Sequence, residues 1–285
     1  MKILATIISF NSEKWISKNI QSLYKNSKDC IVDVLVIDNG STDKTCQIIQ
    51  QKFPFVNLIR NNENLGFGKA NNIAFEYALE KQYNYIFLVN HDGWLMSGFW
   101  EKCVPVLTNN KNFGLLSPYH YDSTEKEYDY SFKRYLQTVK MTAETEIREV
   151  ELINGAFLFI SRECLLKTKG FDPLFFFYGE DIDLCLRAKA QGYKIGIIEG
   201  ANVVHDRKER LMSKERLYYH LIANHLIQFK SIKTGFYSSF CKTIYSAMIS
   251  MLSKNRITSR KDYIKLVLYM FENRTTLKKS YDSFK

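Results

Sequence analysis

The chain has 285 residues, 46% of them hydrophobic and 25% charged, a balance that fits a globular protein and excludes a largely disordered one. The formal net charge of +10 is carried by the C-terminal end: residues 206–285 hold 17 Lys and Arg against 6 Asp and Glu, whereas residues 1–205 hold 23 against 24. Six cysteines, at 30, 46, 103, 164, 185 and 241, form no CxxC pair, which argues against a structural zinc site or a disulfide framework and fits a reducing compartment.

Residues 2–10 (KILATIISF) are apolar and rich in β-branched side chains, so they read as a buried strand. The run is too short for a secretory h-region, and no stretch of 18 apolar residues occurs anywhere, so a cytoplasmic chain without a transmembrane helix is expected. Trp15, Ile16, Ile20 and Leu23 recur at helical spacing over 12–25. Residues 32–37 (VDVLVI) predict a second strand, and Ser41 or Asp43 a cap for a helix running to about Lys52. A short strand over 55–60, a polar glycine-bearing loop over 61–68, a helix over 69–80 and a strand over 85–89 follow. Alternating strands and helices imply a mostly parallel sheet covered by helices, with ligands bound beyond the carboxyl ends of the strands. Those ends carry Asn11, Asp38 and Asn39, Asn61–Asn64, and then Asn90 and Asp92. Asn and Asp also favour turns, which is the competing account of the same pattern.

Further on, 113–118 reads as a strand, 121–149 as a charged surface excursion, and 151–161 as a strand interrupted at Asn154-Gly155. An aromatic run over 171–178 leads through Gly179 into a helix beginning at Glu180 and closed by Gly192. Residues 193–198 and 202–205 read as strand pieces, and from Lys214 the pattern is helical. The expected organisation is a catalytic domain over 1–212, divided into a nucleotide half (1–118) and an acceptor half (119–212), followed by a basic helical region over 213–285.

Five stretches in order, TIISFNSE (6–13), VIDNGSTDKT (36–45), NENLGFGKANN (62–72), FLVNHDGWL (87–95) and GFDPLFFFYGEDIDLCLRAKAQGYK (170–194), with a trailing VVHD (203–206), resemble glycosyltransferase family 2. These are inverting enzymes of GT-A fold, and the resemblance is to the rhamnosyltransferase-like branch. It covers roughly residues 3–228. It implies an α/β fold with a Rossmann-like, mostly parallel sheet, and transfer of a sugar from a nucleotide-sugar donor to a glycan hydroxyl. dTDP-rhamnose and UDP-hexoses or UDP-N-acetylhexosamines are the donors left open, and a lipid-linked polysaccharide intermediate is the expected acceptor.

The resemblance also assigns roles. Asn90-His91-Asp92 stands where the family has Asp-x-Asp, with His91 an unusual middle residue. Asp92, with His205 and Asn90, is the expected holder of Mn²⁺ or Mg²⁺, which would neutralise the departing diphosphate. Without the resemblance, the first group reads equally as an Asx turn and His205 as a structural residue. Asp181 is the expected general base and Glu180 its assistant; helix capping is the alternative. Asp183 is expected to cap the helix or to pair with Arg187 one turn on. Thr6, Ser9, Asn11, Asp38, Asn39, Asn64, Gly66, Gly68, Lys69 and Asn90 are the expected nucleotide-sugar contacts, and Asn154, Gly155 and Ala156 the acceptor side.

In the basic region, Phe236, Phe240, Ile244, Met248 and Met251 recur at helical spacing, as do Tyr263, Val267, Met270 and Phe271. Lys254, Arg256, Arg260, Lys261 and Lys265 lie among them. Two readings stand side by side: an interfacial segment drawn to an anionic membrane surface, which would place the chain peripherally on the inner face, or stripes packed on the catalytic domain or on a second copy in a homodimer. Two rival functions are a non-catalytic nucleotide-sugar-binding scaffold on the same fold, and nucleic-acid binding through the basic end. The intact Asp92, Glu180, Asp181 and His205 set disfavours the first. The lack of a helix-turn-helix or RNA-recognition signature disfavours the second, so no nucleic-acid partner is expected.

Overall fold

The computed structural model describes residues 1–25, 30–136, 146–207, 213–231, 234–254 and 257–283. Residues 137–145 of the charged excursion, and Arg256, lie outside the described residues. In chain order the elements are β1 (Lys2–Ser9), α1 (Ile16–Tyr24), β2 (Ile31–Asp38), α2 (Thr45–Lys52), β3 (Asn57–Arg60), α3 (Phe67–Glu80), β4 (Tyr85–Asn90), β5 (Gly93–Leu95), α4 (Phe99–Asn109) and β6 (Phe113–Tyr121). There follow α5 (Tyr130–Leu136), β7 (Ile147–Glu149), β8 (Phe157–Ser161), α6 (Arg162–Thr168), α7 (Glu180–Ala190), β9 (Lys194–His205), α8 (Lys214–Ser231), α9 (Phe236–Leu252), α10 (Arg260–Glu272) and α11 (Arg274–Ser283).

Among the described residues nine strands form one sheet, ordered β3-β2-β1-β4-β8-β6-β9-β5, with β7 also on β9. Strand β1 is parallel to β2 and β4, and β2 to β3. Antiparallel β8 then separates β4 from β6. The alternation of β1 explains its central place. Ile3, Ala5 and Ile7 enter one core with Ile16, Ile20, Phe99 and Trp100; Leu4 enters the other with Ala70, Ala74 and Leu184. Register aligns the strand ends: Ser9 lies opposite Asp38, Asp38 opposite Arg60, and Ile8 opposite Asn90. The polar residues that stop four apolar strands therefore share one edge.

Several sequence expectations are corrected. The helix expected from 12 starts at Ile16, and Ser41 does not cap α2, which begins at Thr45. Ser41 instead donates to Asp38, and Asp43 accepts from the backbone of Glu13 and Thr45. Helix α3 opens at Phe67, because Gly66, at φ +79°, makes the turn. An added Cβ there would lie 2.7 Å from the Phe176 carbonyl oxygen. The strand expected over 151–161 is confined to Phe157–Ser161, since Asn154 closes an Asx turn onto Ala156 N. The two expected strand pieces over 193–205 are one strand, β9, irregular in its pairing with β6.

The C-terminal helices build a third core. Leu221, Leu226, Phe229, Phe236, Leu266 and Met270 pack there with Leu174 and Phe175 from the aromatic run. The packing reading of that region thus holds for one face of its helices. Among the described residues no helix is long and apolar enough to cross a membrane.

Candidate active site

The loops after β1, β2 and β3 are tied together at the shared edge. Asp38 is buried and accepts from Ser9 Oγ at 2.9 Å, from Ser41 N at 2.9 Å and from Ser41 Oγ. Asn39 donates to Gly66 O and Asn64 Oδ1 and accepts from Asn61 Nδ2 at 2.8 Å; Asn64 Oδ1 also receives Gly66 N. Asn11, at φ +51°, accepts from Thr42 N. Of the other expected donor contacts, Gly68 is buried and Lys69 exposed in the first turn of α3. Thr6 lies within the sheet, 1% exposed, on the face opposite Ser9.

Asp92 and His205 are 113 positions apart in the chain, yet Asp92 Oδ1 lies 3.1 Å from His205 Nε2. Strands β5 and β9 bring them together: Gly93 pairs with His205, and Asp206 N donates to Asp92 O. Gly93 cannot carry a side chain, because a Cβ would collide with the Phe157 ring and Val204 O. Asn90 Nδ2 is 3.3 Å from the same His205 nitrogen. His91, the odd middle residue, turns away, with Nδ1 3.2 Å from Ile8 O and its ring beside Trp15. Burial favours a protonated Asp92, but the neighbouring His205 and His91 outweigh it and hold the carboxyl well below its usual range. Behind His205 sits His120, fully buried and kept neutral first by burial and then by His205.

The fit to a divalent cation rests on the facing atoms of this pair. Asp92 Oδ1 and His205 Nε2 lie 3.1 Å apart in a buried pair, with Asn90 Nδ2 3.3 Å from the same nitrogen. A carboxylate oxygen with an imidazole suits Mn²⁺ or Mg²⁺ completed by phosphate oxygens. Among the described residues no group of three His, Cys, Asp or Glu surrounds a common point, so a donor diphosphate would have to supply the rest.

Glu180 and Asp181 open α7, whose entry turn is held by Tyr178 (φ +66°) stacked at 3.7 Å on His220 of α8. Burial, with the charges of Asp181 and Asp183, pushes the Glu180 carboxyl up to about 8, and its Oε2 has no partner. Burial raises Asp181 as well, so here desolvation outweighs the helix dipole. Asp181 accepts from Ile182 N at 2.8 Å and Gly155 N at 3.2 Å, which favours its anion. The two backbone N–H groups favour the anion on Asp181, and burial beside two carboxylates favours the protonated form of Glu180.

Gly155 joins the two clusters. Its Cα faces Phe67 and Asp181, while the next residue, Ala156, accepts from Asn90 N at 2.9 Å. Asn154 sets the turn between them. Contacts through Gly155, Phe67 and Gly68 thus link Asn90, Asp92 and His205 to Glu180 and Asp181.

Two supporting residues escaped sequence reasoning. Asn19 of α1, fully buried, donates through Nδ2 to both Asn90 O and Gly93 O at 2.8 Å and clasps the turn that carries Asp92. Its signal was an amide on the inward stripe of Ile16, Ile20 and Leu23. Lys230 of α8, 2% exposed, pairs with Asp172 at 2.7 Å and with Asp183. Its signal was a lysine four residues after buried Leu226. Asp183 also pairs with Arg187 at 2.7 Å, as the spacing predicts.

Comparison with known proteins bears on the family and the fold. The model of "Glycosyl transferase family 2" matches residues 5–166, and that of "Glycosyl transferase family group 2" residues 121–252. Rhamnosyltransferase WbbL of Escherichia coli K12 is 25% identical over 70% of this chain and 81% of its own length. dTDP-rhamnosyl transferase RfbF of Shigella flexneri is 25% identical over 92% and 93%. The N-acetylglucosaminyl-diphospho-decaprenol L-rhamnosyltransferase of Mycobacterium tuberculosis is 26% identical over 62% and 67%. Among solved structures, S. aureus TarS 1–349 in complex with UDP superposes with a TM-score of 0.61 at 17% identity, covering 99% of this chain and 89% of that one. Mannosyltransferase PcManGT of Pyrobaculum calidifontis, solved with GDP-Man and Mn²⁺, gives 0.59 at 14% identity, over 99% and 85%. The fold is GT-A, and with the matched model spanning more than half of its length the chain belongs to glycosyl transferase family 2.

Proposed function

We propose that this glycosyltransferase moves rhamnose from dTDP-rhamnose to a hydroxyl of a lipid-diphosphate-linked sugar, with inversion at the anomeric carbon. The likeness to RfbF along almost the whole of both chains supports the donor, and the decaprenol-linked relative supports the acceptor class. The observation that carries the mechanism is Asp181. Its carboxylate accepts from Gly155 N and Ile182 N, which favours the anion, while burial raises its proton affinity; burial also favours the neutral form of the adjacent Glu180. Asp181 takes the proton of the acceptor hydroxyl as that oxygen bonds the anomeric carbon, and the bond to the diphosphate breaks. Glu180, protonated, donates a hydrogen bond within the acceptor site and adds no second negative charge. Asn39, Asn64 and Asp38 shape the loops that receive the nucleotide, and Gly66 and Gly68 let backbone approach it. Mn²⁺ or Mg²⁺ held by Asp92 and His205, with Asn90 alongside, would supply charge neutralisation at the leaving diphosphate.

The test is transfer from a panel of dTDP- and UDP-sugars to a lipid-diphosphate N-acetylhexosamine acceptor, with and without Mn²⁺. Asp181→Asn should reduce kcat by about a thousandfold or more, within the range general bases supply, while the thermal shift given by the donor is kept. Near-normal turnover in that variant refutes the base assignment. Transfer from a UDP-sugar alone refutes the donor.

A further inference from the structure

The outer faces of α9 and α10 are apolar although no described residue covers them. On α9, Tyr245, Met248, Ile249 and Leu252 are more than half exposed, Leu252 at 70%. Their spacing puts them on one side of the helix, opposite buried Phe236, Phe240, Thr243 and Ala247. On α10, Ile264, Leu268 and Phe271, at i, i+4 and i+7, are likewise more than half exposed, while Tyr263, Leu266 and Met270 are buried. The two outer stripes meet: Phe271 of α10 lines a groove with Tyr245 and Met248 of α9, over the edge of buried Phe240, whose ring it meets edge-on at 5.3 Å. Helices whose inner faces already fill a core do not need a second apolar face to fold. An exposed patch of this kind marks an interaction surface.

Charge selects the partner. Residues 236–283 carry nine Lys and Arg against three Asp and Glu. One of those three acids, Asp262, is held in a capping box by Ser259 and also receives Thr258 Oγ1. Lys242, Lys261, Lys265 and Arg274 are exposed on the same two helices and the start of α11. A two-fold pair of these chains would set the patch, and its cations, against themselves. An anionic lipid surface offers acyl chains to the apolar stripe and opposite charge to the lysines flanking it. We infer that the outer face of α9 and α10 is a docking surface for an anionic membrane, seated in the interface and not spanning it. This stands on the exposed surface alone and holds whichever donor and acceptor the crevice uses.

The test is co-sedimentation of the full chain with vesicles of phosphatidylglycerol and phosphatidylcholine in equal parts, and with phosphatidylcholine alone, at low and high salt. Light scattering of the free protein runs alongside. The chain should pellet with the anionic vesicles, release in high salt, and remain in solution with the neutral ones. Lys261→Glu with Lys265→Glu should weaken partition roughly thirtyfold or more, at about 1 kcal/mol per cation near the surface. Leu252→Glu with Leu268→Glu should abolish it, and both pairs should keep the thermal shift given by the donor nucleotide sugar, since these side chains are outside the cores. Failure to pellet with anionic vesicles overturns the inference. So does pelleting that both variant pairs leave intact, and so does a soluble dimer that Leu252→Glu with Leu268→Glu splits while vesicle binding is absent.

Discussion

Glu180 and Asp181 are adjacent in the chain and differ in surroundings. Asp181 reaches two backbone N–H groups, whereas Glu180 has an oxygen buried with no partner. The same burial makes Glu180 a pH-dependent liability. In the folded chain it keeps its proton up to about 8, whereas its ordinary value is 4.5. Between those values the folded state binds more protons than the unfolded state, so stability is greatest below the unfolded value and falls as pH rises through the folded one. Glu180→Gln removes the titration and keeps the shape. Unfolding in urea should show the wild type losing stability relative to the variant between about pH 5 and pH 8, by up to about 1.4 kcal/mol per unit. Equal pH slopes would mean that Glu180 is charged in the folded chain.

At the scale of elements, α7 is held from beneath by charge. Asp172 and Asp183 meet Lys230 of α8, Arg187 adds Asp183 and the carbonyls of Thr168 and Gly170, and Ser280 of α11 donates to Asp172. Burying a cation between two carboxylates is worth little against a well-packed apolar replacement of all three, but removing the cation alone leaves the carboxylates facing each other. Lys230→Met should therefore destabilise the chain by about 3–5 kcal/mol, read from chemical denaturation. It should also reduce transfer, because α7 carries Glu180 and Asp181. A change below about 1 kcal/mol would show that water or another cation serves as well. This network was illegible from sequence, where Asp183 and Arg187 were visible as an i, i+4 pair but their third partner lay on a helix read as a basic appendage. Strand β5 was missed for a related reason. Three residues carry no period, and only the pairing of Gly93–Leu95 with β9 makes them a strand. Helix α4 holds Pro105 inside it, which weakens the helical signal. The parallel half was legible because β1, β2 and β4 are apolar on both faces and end on or just before Asn or Asp.

For the whole molecule, the sequence showed which residues would gather and left the route open. Asp92 and His205 were paired by resemblance, and the structure supplies the physical link in β5 and β9. Asp181 was matched to the crevice by its motif, and Gly155 supplies the contact. The division at residue 212 is where sequence and packing differ most in their consequences. A change from mixed to basic composition reads as a boundary, yet Leu174 and Phe175, a few positions before Glu180 and Asp181, belong to the core built by α8–α11. We therefore propose that the C-terminal helices are a supporting wall of the active site and not a detachable tail. A chain ending at residue 212 would expose Leu174 and Phe175, losing about 1.5–3 kcal/mol for each. It would also strip Asp172 of Lys230 and Ser280, and Asp183 of Lys230, and would unstack Tyr178 from His220 at the entry to α7. Together these approach the whole stability of an ordinary domain, about 5–15 kcal/mol. The truncated chain should be recovered aggregated, or with a melting transition far below that of the full chain, and without transferase activity in either case. A truncated chain that melts as the full one does and transfers sugar at a comparable rate would restore the reading of residues 213–285 as an appendage.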